Sequence, residues 1–123
     1  FWDGDKTALL GIDNDAVNEY VRFCSRILNS YFGAIKNNMK DYWDSDDSKL
    51  LSVTAINGFI IALTRQLGVN GIRDFEFYNE IFGKWSFDFS IANFPYASSQ
   101  YRKFSNQILS GAFGISESKL KTI

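Results

Sequence analysis

In "FPYASSQYRKFSNQIL", residues 94–109, Ser98 and Ser99 stand just ahead of Arg102 and Lys103. No other stretch of this chain is as well suited to chemistry. A helix starting at either serine would set free backbone N–H donors beside two hydroxyls and two cations. Those are the groups a phosphate needs, because the donors and the positive end of the helix dipole both favour an anion. The same residues also make an ordinary helix start, in which one serine caps the first-turn N–H groups. Tyr101, Phe104 and Ile108 share one helical face with Leu109 beside it, and Arg102, Lys103, Asn106 and Gln107 turn outward. That periodicity makes the aromatics core rather than a stacking platform. Ser98, Ser99, Arg102 and Lys103 are thus the candidate anion site, of millimolar strength or weaker, with capping as the competing role.

Other chemistries find less material. The chain has no His, which excludes His-based triads, imidazole zinc ligation and an imidazole pH switch. The carboxylate pairs Asp3/Asp5, Asp13/Asp15 and Asp46/Asp47 fall in turns or at helix starts, where solvation or capping explains them. Asp44, Asp46 and Ser48 alternate like a calcium loop, but Lys49 stands where that loop needs Gly and Ala55 where it needs Glu. "GIRDFEFYNEIFGK" lacks the spacing and terminal GK[ST] of a phosphate loop, and no glycines flank Ser98 or Ser99 as in a hydrolase elbow. No catalytic residue, metal or cofactor is expected. Cys24 is the only cysteine, so it has no internal disulfide partner, and it falls on an apolar stripe as packing. An unpaired thiol fits a reducing cytoplasm.

The elements that must position these residues follow from composition and period. The 123 residues make one domain with 46% hydrophobic and 17% aromatic content, too much for a disordered tail. Net charge is −1, with nine acids against six bases over residues 1–50, so there is no basic excess of the kind that duplex binders use. The chain starts at Phe1 rather than Met, and a fragment of a longer protein is expected. Val17, Tyr20, Val21, Cys24, Ile27, Leu28, Tyr31 and Ile35 recur at three- and four-residue steps and predict a helix over about 14–39.

A second helix is predicted over "KLLSVTAINGFIIALTRQLG", residues 49–68, charge-free from Leu50 to Thr64. It is capped by Ser48 or Asp47 and stops at Gly68. Its charge-free run makes it the most buried, so that Ile60→Asp or Ile61→Asp should unfold the domain. Gly58 within it implies close approach by another helix or ring. A turn with Gly71 leads to a helix at about 73–83, and a last helix spans 99–112. Between them Trp85, Phe87, Phe89 and Ile91 alternate either as a short strand or as an aromatic-anchored connection. The expected fold is an all-α bundle of about four main helices, with no membrane span because the apolar run is too short.

"YWDSDDSKLLSVTAINGFIIALTRQL" (42–67) followed after a gap by "FPYASSQYRKF" (94–104) resembles the C-terminal helical part of DGQHR-domain proteins. That bacterial family includes the DndB-type proteins of DNA phosphorothioation systems. The shared pattern is a helix ending near a Trp, a loop, an apolar helix with a central Gly, and a late Ser-containing helix start. It extends loosely over residues 14–112. The DGQHR motif itself is absent, so no functional residue transfers. The resemblance implies an accessory, non-catalytic helical domain linked to DNA modification or mobile elements, with DNA contacted through the rest of the chain. The alternative is a protein–protein interaction module. A basic surface patch would favour the first and an exposed apolar patch the second.

Overall fold

The computed structural model describes Gly4 and residues 14–115. The fold is all-α, and no strand occurs among the described residues. Helix α1 spans Asn14–Asn38 and α2 is the single turn Lys40–Trp43. Helix α3 spans Val53–Asn70 and α4 spans Phe75–Lys84. Helix α5 spans Tyr101–Gln107 and continues as a π-helical turn, Ile108–Ala112. The turn-rich opening of the sequence ends in a candidate cap for α1 at Asp13 or Asn14; Asp13 lies outside the described residues, and Asn14 is the first residue of the helix.

Helix α3 begins later than its charge-free run suggests. Leu50 is buried, and the Lys49 N–H donates to Phe89 O at 2.7 Å, which diverts the chain from helical geometry. The cap is Ser52, whose Oγ accepts from Ala55 N at 3.2 Å. Ser48 instead closes a local turn by accepting from Leu50 N at 3.0 Å. Gly68 does not stop the helix but lies within it, at a cost of up to about 1 kcal/mol relative to Ala. The stop is Gly71, which takes φ 74°, a value that L side chains rarely adopt, and donates its N–H to Leu67 O at 2.9 Å. Asp74 caps α4 by accepting from Phe77 N at 3.0 Å.

Helices α1 and α4 pack together, and so do α3 and α5. Rings join the two pairs. Tyr31 lies edge-on to Phe59, Tyr78 and Phe82, with centroids 6.4, 5.2 and 5.7 Å away. Phe59 in turn meets Phe104 edge-on at 5.4 Å. The approach expected at Gly58 is real, because a Cβ there would sit 2.4 Å from Phe104 Cδ2. Three buried polar contacts tie the rings down: Tyr31 OH donates to Phe59 O at 2.7 Å, Tyr78 OH donates to Gln66 Oε1, and Gln66 Nε2 donates to Gly71 O at 3.1 Å, whereas Ser90 Oγ is buried without a partner.

Ile60 is a correction. It is 42% exposed on the outer face of α3 with Val53 and Asn57, while Phe59, Ala62 and Leu63 are buried. The run is charge-free, but only one side of it faces the core, so an Asp at Ile60 is no buried charge. The alternating segment 85–91 is an extended connection rather than a strand. Phe89 is buried, Trp85 and Phe87 are half-buried and Ile91 faces outward. Its only pairing among the described residues is one antiparallel bridge, Ser48 to Ser90. Trp85 and Phe87 stack at 5.4 Å, and Phe87, Phe89, Phe94 and Tyr96 surround Phe104.

Candidate functional site

Ser98 and Ser99 lie in the turn before α5, exposed, with Arg102 and Lys103 exposed on its first turn. Neither serine caps the helix. The N-cap position belongs to Gln100, which makes no side-chain cap bond and instead accepts from Ala97 N at 2.9 Å through Oε1. That bond and the Gln100 N–H to Ala97 O bond, also 2.9 Å, close a tight turn. The helix it starts has seven residues, so its dipole is small.

Helix α1 carries a different surface. Val17, Val21, Cys24, Leu28, Tyr31 and Ile35 are spaced 4-3-4-3-4, the step of a coiled-coil seam. The two ends of this seam differ. Tyr31 and Ile35 are buried against α3 and α4, whereas Val17, Val21 and Leu28 are 37%, 54% and 41% exposed. Cys24 is half-buried between them, beside Tyr20. The charged residues Glu19, Arg22 and Arg26 lie on the opposite side of the helix, and the positions flanking the seam are Asn18, Tyr20, Ser25 and Ile27. The apolar stripe thus continues beyond the core with uncharged borders. The three-and-four step was visible in the sequence, but the point where the core ends along it was not.

A third feature is a cavity of about 340 Å³ where α1 ends, lined by α2 and the 85–87 segment. Asn37, Asn38, Asp41, Trp85 and Phe87 are among its walls. Asn38 Nδ2 donates to Ala34 O at 2.9 Å and to Asn79 O at 3.2 Å, which fixes the orientation of its amide. Asn79 Oδ1 accepts from both Asn37 Nδ2 and Asn38 Nδ2. Sequence inspection missed this cavity, because residues 37–42 and 85–87 are far apart in the chain and carry no motif.

Among the described residues, no group of three or more His, Cys, Asp or Glu could hold a metal ion. No described helix is long and apolar enough to cross a membrane. Asp88 is held below the usual carboxylate range, first by the Ser90 backbone N–H at 2.9 Å and further by Asn93 and Tyr42. It organises the 88–93 turn. No protein-family model matches the chain, and neither a curated protein nor a solved structure matches it.

Proposed function

We propose that this domain is a non-catalytic interaction module that docks an α-helix of a protein partner along the N-terminal half of α1. The exposed stretch of the seam, Val17, Val21 and Leu28 with Cys24 between, carries this reading. Apolar residues at heptad steps suit knobs-into-holes packing by a second helix rather than a strand or a flat loop. Because its borders are uncharged, the contact draws on apolar burial and should depend little on salt. The resemblance of residues 42–67 and 94–104 to DGQHR-domain proteins supplies the wider proposal: an accessory domain of a DNA-linked bacterial protein. The lone thiol supports a cytoplasmic setting.

Photocrosslinking residues placed at Val21 and at Leu28 test this in cells that natively carry the chain. Each should give one defined adduct that maps to an apolar-heptad helix, and the same residue at Thr64 should not. Adducts with nucleic acid, with non-helical segments or with nothing would overturn the proposal. The exposed pair Arg102 and Lys103 favours a second reading, direct DNA contact. An anisotropy titration with duplex separates the two. Helix docking expects nothing tighter than the non-specific range of about 10⁻⁴–10⁻⁶ M at physiological salt. A nanomolar complex would transfer the function to the α5 surface.

A further inference from the structure

The exposed part of the α1 seam is symmetric about its own midpoint. Val17, Val21, Cys24 and Leu28 are spaced 4-3-4, a pattern that reads the same from either end. A second α1 laid antiparallel across it therefore meets seam residue with seam residue at every layer. Val17 falls opposite Leu28 of the second copy and Val21 opposite its Cys24, and the two-fold axis repeats both contacts. The borders match in the same arrangement. Asn18 and Ser25 come together on one side as two hydrogen-bonding groups, and Tyr20 and Ile27 on the other as two apolar ones. A parallel copy would instead set Tyr20 against Ser25. The core also fixes orientation and length. Beyond Leu28 the same face of α1 is taken by α3 and α4, which bury Tyr31 and Ile35. A parallel second α1 would run its own residues 31–38 into that occupied space. An antiparallel one begins at Asn14, which falls level with Tyr31, where the free face ends.

We infer that α1 pairs antiparallel with α1 of a second copy of this chain, making a symmetric dimer. The inference rests on the reading of the seam as a helix-docking surface and names the helix that docks. Net charge is −1, and Glu19, Arg22 and Arg26 lie on the far side of α1, so like charges oppose the pairing little. Charged borders would set partner choice, and here none stands against a second copy. Four layers span only about 17 Å of helix, so the contact falls short of the roughly 1,200 Å² of a permanent interface. The dimer is accordingly weak and depends on concentration.

Sedimentation equilibrium of the purified chain tests the pairing. A reversible monomer–dimer equilibrium should appear with a dissociation constant of about 0.1–1 mM, the range of a small transient contact. Val21→Arg should weaken it by about ten-fold or more, because the dimer would bury an unpaired charge. Ile60→Arg, at a similarly exposed apolar position on α3, should leave it unchanged. Both positions are exposed in the single chain, so both variants should keep the parent melting temperature. Orientation is read in the Cys24→Ser background by mixing Val17→Cys with Leu28→Cys chains under copper phenanthroline. The mixed 17–28 disulfide should form well ahead of either like pair. Like-paired products, a chain still monomeric at about 1 mM, or a dimer indifferent to Val21→Arg overturn the inference. The two readings fail separately. Under self-pairing, photoadducts from Val21 and Leu28 map to α1 of this chain. A monomer whose adducts map to a helix of another protein overturns the self-pairing and leaves the docking surface standing. Absence of any helical adduct overturns both.

Discussion

Gly58 shows how much one hydrogen atom decides in this core. Alanine there gains up to about 1 kcal/mol of helix propensity. It also places a methyl 2.4 Å from Phe104 Cδ2, and that ring is buried among Phe59, Phe87, Phe89, Phe94 and Tyr96. Overpacking of this kind costs about 1–3 kcal/mol and wins, because the ring has no open side to yield into. Gly58→Ala should therefore lower unfolding free energy by about 1–2 kcal/mol in a denaturant titration. In the Phe104→Leu background the same change should be close to neutral. An equal loss in both backgrounds would mean that Phe104 is not what excludes the side chain.

Individual helices depend on specific caps, and composition alone does not locate them. Ser52 and Ser98 are both serines just ahead of a helix, yet only Ser52 accepts a first-turn N–H. Ser52→Ala should cost about 1 kcal/mol, the usual worth of an N-cap. Ser98→Ala and Ser99→Ala should stay within about 0.5 kcal/mol of the parent, as exposed substitutions do. Thermal melts of the three variants would show whether Ser98 or Ser99 has a capping role after all. The difference arises because Gln100 closes its own turn onto Ala97, which leaves both serines outside the helix start.

Over the whole molecule, two buried phenols make stability sensitive to alkali. Burial pushes the Tyr78 hydroxyl up to about 12, with Arg73 opposing slightly, and burial also raises Tyr31 well above its usual value. A raised phenol favours its neutral form in the fold. Its contribution is fully present below the unfolded value of about 10 and fades as pH rises from there towards the folded value. Tyr78 alone corresponds to about 2–3 kcal/mol across that window. Melting temperature should hold steady to about pH 9 and then fall steeply, and Tyr78→Phe should flatten part of the fall. A flat profile to about pH 11 would mean that these hydroxyls are not buried.

What the sequence determined by itself is whatever depends on neighbours along the chain. Three- and four-residue steps place α1, and its charge-free run and central glycine mark α3. The outward set Arg102, Lys103 and Asn106 follows from period alone, and the absence of histidine excludes whole classes of chemistry. Tertiary structure decided what depends on distant partners. Phe89 O captures the Lys49 N–H and delays α3, which moves its cap to Ser52. The core ends at Tyr31 along a seam that continues unchanged to Val17, so the same periodicity produces buried and exposed apolar residues. The one-sided burial of α3 leaves Ile60 outside, and the end of α1 meets residues 85–87 to form a cavity. Periodicity states which residues share a face, but which faces meet is set by the closure of loops and the packing of rings between them.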